Sequence, residues 1–336
     1  MNFKKLKIIN TLVSNFFLTF SFLNACTSEN NEKGSKNNEV EVNSVNNVKI
    51  NTGLPYRFEK TDRIVAIGDL HGDLFATKQA LKKANVIDNS DHWIGGKTTL
   101  VQTGDQLDRG DDEKEIIDLL DNLAIEAKKV GGSVHVLNGN HEIMNVAEDF
   151  RYVTKDGFED FQKIKNLDLT SSKVLKHPEH ERARTAALIP GSMYAKIFAK
   201  RNTIVVIGDI LFLHGGLEPK YADYGIEKIN EEVREWLLGE TSQIPNFLVT
   251  PDGPIWSRTY SSGPEHPNEN ECKMLDEVLK KTNTKYMVVG HTVQTQGINS
   301  ACNGKVWRID IGLSKAYNSA KPQVLEFKNN TFNVLK

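Results

Sequence analysis

Cysteine is scarce in this chain, and neither sign of charge is in excess. Three cysteines occur in 336 residues, and no two of them are close together. That scarcity excludes a disulfide-built scaffold and a zinc site of the CxxC type. The 42 Lys and Arg nearly balance the 44 Asp and Glu, which gives a net charge of −2. Sequence-independent nucleic-acid binding needs a basic excess, so we predict no nucleic-acid partner.

A long apolar run is lacking at the N-terminus. The stretch from Ile8 to Leu23 follows three lysines and is interrupted by Asn10, Ser14 and Asn15. It is too short and too polar for a transmembrane helix, which needs about 20 apolar residues. A charged start followed by a short apolar run is typical of a secretory signal.

The end of this run, Leu23-Asn24-Ala25-Cys26, resembles the lipobox of bacterial lipoprotein signal peptides. In that motif the cysteine is lipidated and becomes the first residue. We therefore expect residues 1–25 to be a signal peptide and Cys26 to anchor an exported lipoprotein to a membrane, in the periplasm or at the cell surface. A plain secretory signal and a cytoplasmic protein are the alternatives.

Residues 26–53 are predicted to be a disordered tether. The stretch from Thr27 to Thr52 holds eight Asn and no aromatic residue, so it buries too little apolar surface to offset its ordering entropy. A flexible coil of this length spans roughly 28 Å. That distance is enough to hold a domain clear of a membrane.

From Leu54 onward, apolar strand patterns alternate with helical ones, which predicts one α/β domain over residues 54–336. Gly208-Asp209 separates two apolar runs and indicates a hairpin. The section 148–201 is polar and helical in pattern, so we expect a mostly helical insert beside the active face. The predicted strands are Arg63–Gly68, Thr98–Thr103, Ser133–Leu137, Thr203–Ile207, Ile210–Leu213, Lys285–Val289, Val306–Ile311 and Gln323–Phe327.

Five short clusters that join glycine to Asp, Asn or His follow these apolar runs. They are Gly68-Asp69-Leu70-His71-Gly72, Gly104-Asp105-Gln106-Leu107-Asp108-Arg109-Gly110, Gly139-Asn140-His141-Glu142, Leu213-His214-Gly215-Gly216 and Gly290-His291-Thr292. Glycine lets the backbone approach a ligand closely. Oxygen and imidazole ligands without sulfur favour Mn, Fe or Zn over copper(I) or an iron–sulfur cluster.

The order GDxHG, GDxxDRG, GNHE, HGG and GHT resembles the signature of the calcineurin-like metallophosphoesterases, in their phosphoprotein phosphatase branch. The stretches Arg182-Ala183-Arg184, Ile189-Pro190-Gly191 and Pro254-Ile255-Trp256-Ser257-Arg258 look more particularly like the Shewanella-like protein phosphatases. The resemblance covers about Arg63 to Leu313. It implies a four-layer α/β/β/α metallophosphoesterase sandwich that carries two divalent metal ions, with Mn expected and Fe or Zn as alternatives.

The same resemblance implies the metal ligands. The first metal would be held by Asp69, His71 and Asp105. Asp105 would bridge to the second metal, whose other ligands would be Asn140, His214 and His291. Such a pair of ions lowers the pKa of the water between them, so that a hydroxide nucleophile exists near neutral pH.

The resemblance also implies the catalytic groups. His141 would protonate the leaving oxygen as general acid, and Asp108 would fix its tautomer. Arg109 and Arg258 would fork onto the phosphate oxygens, which a planar guanidinium does bidentately.

Other residues near the motifs keep more than one interpretation. Asp310 could close the site from below or only shape a turn. Arg182 and Arg184 could reach substrate from the insert or lie solvated on a helix surface. Glu142 is expected to make a structural hydrogen bond, and the acidic run ending at Glu113 is expected to favour a helix N-terminus.

The predicted function is hydrolysis of phosphomonoesters, on a phosphorylated protein or a small phosphomonoester. A hydrolase of dinucleoside polyphosphates is the nearest rival, with Tyr152, Phe158, Tyr194, Tyr260 and Tyr317 as candidates for base stacking. A lipoprotein that binds a partner without catalysis is the second rival. Preference for phosphotyrosine or for phosphoserine and phosphothreonine stays open.

Export also bears on the two remaining cysteines. Cys272 and Cys302 lie on either side of the Gly290-His291-Thr292 cluster. Since disulfides persist outside the cytoplasm, we expect these two cysteines to be joined. Two separate thiols are the alternative.

Overall fold

The structure, a computed structural model, describes residues 53–263, 266–317 and 320–336. The expected signal peptide, Cys26 and nearly all of the expected tether lie outside these residues. Within the described ranges, none of the helices combines the length and the apolar character that crossing a membrane requires.

Strands and helices alternate along the described chain. In chain order they are β1 (Arg57–Phe58), β2 (Arg63–Ile67), α1 (Leu74–Lys83), β3 (Thr99–Gln102), α2 (Glu113–Lys129), β4 (Ser133–Val136), α3 (Asn140–Val146), α4 (Lys155–Gln162), α5 (Arg182–Leu188), α6 (Met193–Ala199), β5 (Ile204–Ile207), β6 (Ile210–Leu213), α7 (Pro219–Tyr224), α8 (Ile226–Leu237), α9 (Glu269–Lys281), β7 (Tyr286–Val289), β8 (Asn299–Ala301), β9 (Val306–Arg308), β10 (Val324–Lys328) and β11 (Thr331–Leu335). Section 148–201 contributes α4, α5 and α6 and, in the described chain, no strand.

The strands form two sheets. One has the order β1-β5-β6-β7-β9-β8 and the other the order β11-β10-β2-β3-β4. β2, β3 and β4 are parallel, as are β6, β7 and β9, whereas β5 and β6 form the antiparallel hairpin that Gly208-Asp209 predicted. The expected two-sheet α/β sandwich with helices is confirmed.

β5 shows why its sequence is apolar at every position. Ile204 and Val206 belong to a core cluster shared with α6, α8 and α9. Val205 and Ile207, which point the other way, belong to a cluster that contains strands of the second sheet. A strand buried on both faces needs an unbroken apolar run rather than alternation.

A disulfide joins Cys272 on α9 to Cys302 in the turn between β8 and β9, with the Cα atoms 5.4 Å apart. The expected pairing is confirmed. Because the bond restricts the unfolded chain, the double variant Cys272→Ser/Cys302→Ser should have an unfolding free energy about 2–4 kcal/mol lower than that of the oxidised wild type. Urea denaturation of both proteins measures the loss, and the two should coincide once the wild type is reduced. Coincident curves under oxidising conditions would contradict a stabilising bond.

Candidate active site

The side chains of the five glycine clusters meet where strands of both sheets end. Asp69, Asp105 and Asn140 follow β2, β3 and β4 of one sheet, whereas His214 and His291 follow β6 and β7 of the other. All five are buried. The carboxyl ends of parallel strands in each sheet point to this edge, which is where open α/β sheets place their ligands.

The backbone of the site is held in unusual conformations. His71, Asp105, Asp108, Arg109 and His291 all have positive φ values, between 45° and 68°. Side chains other than glycine rarely adopt this region, and such strain concentrates at functional sites. Gly104, with φ 102°, lets two loops approach, because a Cβ there would lie 2.6 Å from the nitrogen of Gly139.

Glu142 ties these loops together. Its buried carboxylate accepts hydrogen bonds from the backbone N–H groups of Asp105, Gln106 and Gly139 at 2.7–2.8 Å, and from Leu107 at 3.2 Å. Four donors on one carboxylate fix the Asp105 loop against the Asn140 loop. The expected structural role of Glu142 is what the structure shows.

The predicted ligands of the second metal form a tight cluster of acceptor atoms. His214 Nε2 lies 2.9 Å from Asn140 Oδ1, 3.1 Å from His291 Nδ1 and 3.2 Å from Asp105 Oδ2. His214 Nδ1 donates to the carbonyl of Thr103 at 2.9 Å, so in the neutral ring Nε2 is an acceptor that faces other acceptors. Only a cation or a proton makes that arrangement favourable.

The electrostatics of His214 agree. Burial lowers its pKa, but the carboxylates of Asp105 and Asp69 outweigh burial and raise the pKa to about 9. A divalent cation would take the place of that proton. His291 adds a second sign, since within the described chain its buried Nε2 has no hydrogen-bond partner.

The predicted ligands of the first metal are more widely spaced. His71 Nε2 lies 3.9 Å from Asp69 Oδ2 and 3.8 Å from Asp105 Oδ2. His71 Nδ1 donates to the carbonyl of Leu107 at 3.0 Å, and burial lowers the pKa of His71 to about 4. The ring is therefore neutral, with its Nε2 lone pair directed at the carboxylates, as a metal ligand requires.

Asp105 belongs to both clusters, which is the position expected of a bridging ligand. Its Oδ2 atom also lies 3.8 Å from Nε2 of His141, so the three groups close enough to share one ion on this side are His71, Asp105 and His141, whereas Asp69 lies farther off. The residues present thus offer oxygen and imidazole ligands in two adjoining groups, and they fit two divalent cations.

His141 and Asp108 form a buried pair. His141 Nδ1 donates to Asp108 Oδ2 at 2.5 Å, while Asp108 Oδ1 accepts from Asn145 Nδ2 at 3.0 Å. Burial lowers the pKa of His141, but the charges of Asp105 and Asp108 outweigh burial and raise it. The pair therefore presents Nε2 of a readily protonated imidazole toward the predicted metal ligands.

Arg109 lies at the mouth of the site between two tyrosine rings. Its guanidinium carbon is 4.4 Å from the ring centre of Tyr152 and 5.2 Å from that of Tyr317. Arg109 Nε is buried and, within the described residues, makes no hydrogen bond. Arg258 borders the opposite side, where it donates to the carbonyl of His291 at 2.9 Å and to Thr292 at 2.8 Å. Both guanidinium groups can bind an anion that lies beside the predicted metal ligands.

Asp310 both shapes a turn and lies next to the site, the two alternatives that the sequence left open. It accepts a hydrogen bond from the N–H of Gly312 at 2.9 Å, which shapes a turn. Burial raises the pKa of Asp310 to about 6, and its charge adds to burial in raising the pKa of Asp69. Asp310 thus lies behind a predicted metal ligand.

The interpretation of Arg184 is wrong, whereas that of Glu113 as a residue at a helix N-terminus is confirmed. Arg184 is neither near the mouth of the site nor solvated, because it is completely buried against Asp108 and Glu113. Glu113 begins α2 as expected, but it too is fully buried and pairs with Arg184. Arg182 lies partly buried and donates to the carbonyl of His177 at 3.0 Å.

The remaining candidates lie elsewhere. Tyr194 and Tyr260 are buried in the core, and Phe158 packs against His180 of the insert. The histidines set aside as surface or structural residues pair with other groups, as His92 does with Glu126 and His266 with Glu271.

Comparisons with known proteins agree with this site. Residues 62–295 match the family described as Calcineurin-like phosphoesterase. Shewanella-like protein phosphatase 2 of Arabidopsis thaliana is 42% identical over 307 residues, which cover 83% of this chain and 78% of that protein. Shewanella-like protein phosphatase 1 of Plasmodium berghei (strain Anka) is 32% identical over 266 residues, 77% of this chain and 69% of that protein.

Solved structures give the same result. A cold-active protein-tyrosine phosphatase of a psychrophilic Shewanella species superposes with a TM-score of 0.65 at 26% identity, covering 84% of this chain and 83% of the other. The predicted resemblance is confirmed. With its two clusters of metal-ligand type, the chain belongs to the calcineurin-like phosphoesterase family and is a metal-dependent phosphatase.

Proposed function

We propose that this protein removes phosphate from phosphorylated proteins or small phosphomonoesters, with His141 as general acid. One observation carries the proposal. A buried His141–Asp108 pair adjoins two groups of possible metal ligands that share Asp105, and His141 itself belongs to one of these groups, with Arg109 nearby. That arrangement brings an acid, an anion site and two cation sites together, which in-line displacement at phosphorus requires.

Each residue would have a separate task. His141 would give its Nε2 proton to the departing oxygen, while Asp108 holds the proton on Nδ1 and so fixes the ring. Arg109 and Arg258 would bind phosphoryl oxygens from opposite sides. Two divalent cations, held by the ligands described above, would supply the Lewis acidity that activates water and neutralises phosphoryl charge. We propose Mn as the resident metal, with Fe or Zn as alternatives that the same ligands accept.

The test is a substrate panel. Residues 27–336 loaded with Mn²⁺ should hydrolyse phosphopeptides, and the panel should include phosphoserine, phosphothreonine and phosphotyrosine peptides beside dinucleoside polyphosphates. The tyrosines at Arg109 are the observation that keeps the rival substrate class in the test, since Tyr152 is exposed enough to stack on a base. Faster turnover of a dinucleoside polyphosphate would replace the proposal with that rival. Lack of turnover on every substrate by the metal-loaded protein would favour the non-catalytic lipoprotein.

We also propose that the protein is exported and anchored to a membrane through Cys26. The support is the lipobox-like Leu23-Asn24-Ala25-Cys26 and, independently, the Cys272–Cys302 disulfide, which belongs to an oxidising compartment. A diacyl group together with an amide-linked acyl chain exceeds the two-signal threshold for stable anchoring.

Cell fractionation tests the anchor. The full chain should be recovered with membranes, whereas Cys26→Ser should become soluble because it cannot be lipidated. Phosphatase activity should be equal in the two fractions, which controls for folding. Equal soluble recovery of the two proteins would rule out the anchor.

A further inference from the structure

Arg184 reaches the catalytic pair from behind. It belongs to α5, in the helical section that separates the GNHE cluster from β5, and its side chain is completely buried. Nε donates to Asn145 Oδ1 at 2.7 Å, and the two terminal nitrogens engage both oxygens of Glu113. One of them also lies 3.5 Å from Asp108 Oδ1. A buried arginine aimed at a catalytic carboxylate is not required by the metal site.

The contacts of Asp108 show what Arg184 controls. Asp108 has one oxygen on His141, at 2.5 Å, and the other on Asn145, at 3.0 Å. Asn145 is in turn held by Arg184, and the backbone N–H of Asp108 donates to Glu113. Arg184 therefore binds Asn145 and Glu113, two of the groups that hold Asp108, and also approaches the Asp108 carboxylate itself.

Charge balance gives a second reason. Asp108 and Glu113 are two fully buried carboxylates joined through one backbone N–H. The fork of Arg184 neutralises Glu113, which leaves Asp108 free to hold the imidazolium of His141. Without Arg184, Glu113 would be a buried charge without its partner, and its field would act on the neighbouring Asp108. The pair of carboxylates would then compete for the positive charge of His141.

We infer that Arg184, with Glu113, is a positioning residue that fixes Asp108 and through it the direction in which His141 donates its proton. Arg184 touches neither substrate nor metal. The insert is thereby part of the catalytic apparatus, since α5 supplies the group that orders the acid. This inference rests on the proposed role of His141.

Two substrates that differ only in leaving group provide the test. Phenyl phosphate releases a basic phenolate and needs a proton, whereas 4-nitrophenyl phosphate releases a stable anion and needs little help. In the metal-loaded full chain, Arg184→Met should lose about tenfold more kcat/KM on phenyl phosphate than on 4-nitrophenyl phosphate, with KM unchanged. This loss is smaller than the loss expected on removing the general acid itself. Arg182→Met, on the same helix but without contact to Asp108, should behave as wild type.

A second variant separates positioning from stability. Glu113→Gln/Arg184→Gln removes both charges and so restores charge balance. Its stability should exceed that of Arg184→Met while the leaving-group bias persists, because Asp108 and the Asn145 amide that holds it are still without the guanidinium. A bias that vanishes as stability returns would show a merely structural role and overturn the inference.

His141→Asn is measured beside these variants. Suppose that His141→Asn shows the bias but Arg184→Met loses the same fraction of kcat/KM on both substrates. Then only the inference about Arg184 fails. If Arg184→Met does not fold, the double variant takes its place in this comparison. If His141→Asn itself shows no bias, the proposed acid role fails, independently of Arg184.

Discussion

Asp105→Asn should abolish nearly all phosphatase activity and prevent loading of the paired metals. Asp105 Oδ2 lies 3.2 Å from His214 Nε2 and 3.8 Å from His71 Nε2, so one atom serves both ligand clusters. Burial raises its pKa, but the nearby imidazoles outweigh burial and hold the pKa well below its usual value. An asparagine there keeps the shape and loses the negative charge, so the repulsion between two dications held by these ligands would be less well offset.

The measurement has two parts, metal content and turnover. Elemental analysis should find less than two metals per chain in Asp105→Asn, alongside the loss of kcat. Asp118→Asn, which changes an exposed carboxylate on α2, should retain both metals and full activity. An Asp105→Asn protein with two metals and wild-type turnover would show that the bimetal interpretation is wrong.

His141→Asn, with metals retained, should lose far more rate on a phosphoserine peptide than on 4-nitrophenyl phosphate. Serine leaves as a basic alkoxide and needs a proton in the transition state, whereas nitrophenolate is stable as an anion. Removal of a positioned acid costs about 10²–10⁴-fold where the proton is needed. In the structure the only ring nitrogen of His141 free to donate is Nε2, because Nδ1 is committed to Asp108.

Asp108→Asn is the matched comparison. It should show the same bias with a smaller loss, because Asp108 orients the acid and does not donate the proton. The comparison uses kcat/KM, since metal loss would lower both substrates alike. An equal loss on the two substrates, with metal content confirmed, would mean that His141 is a ligand or a charge stabiliser.

The sequence predicted much of the site because its signals are local. Each cluster sits directly after an apolar strand, so strand ends and ligand positions were read from the same few residues. The hairpin at Gly208-Asp209 and the strand of Arg63–Ile67 are of this kind. In each case a short apolar run bounded by glycine allowed little choice of structure.

Three strands were not predicted, for an equally local reason. β1 has two residues, and β8 has the composition Asn-Ser-Ala, so neither carries a periodic pattern. β11, with the sequence Thr-Phe-Asn-Val-Leu, does alternate over its first four residues, but the run is short. Such segments become strands because a neighbour offers hydrogen bonds, and tertiary context of that sort overrides propensity.

The groups around the His141–Asp108 pair could not be predicted from the sequence, for another reason. Arg184 and Asp108 are 76 positions apart, and no pattern in either segment indicates that the two side chains are in contact. Tyr152 and Tyr317 frame Arg109 from two distant loops. Contacts of this kind depend on how the sheets and helices pack, which motif spacing does not encode.

Each end of the described chain contributes strands to the sheet that is formed mainly by the other half of the chain. β1, the first strand of the described chain, lies in the sheet whose other members follow residue 203, whereas the hairpin of β10 and β11 completes the sheet that begins with β2. β10 pairs directly with β2, the strand that leads to Asp69. During synthesis from the N-terminus, β2 therefore keeps one edge unpaired until β10 has been made. Pairing between strands so distant in sequence is slow, because the entropy cost of closing the loop comes before the contacts that stabilise the pair. The strand that leads to Asp69 thus gains its second neighbour only after the segments that carry His214 and His291 have been made.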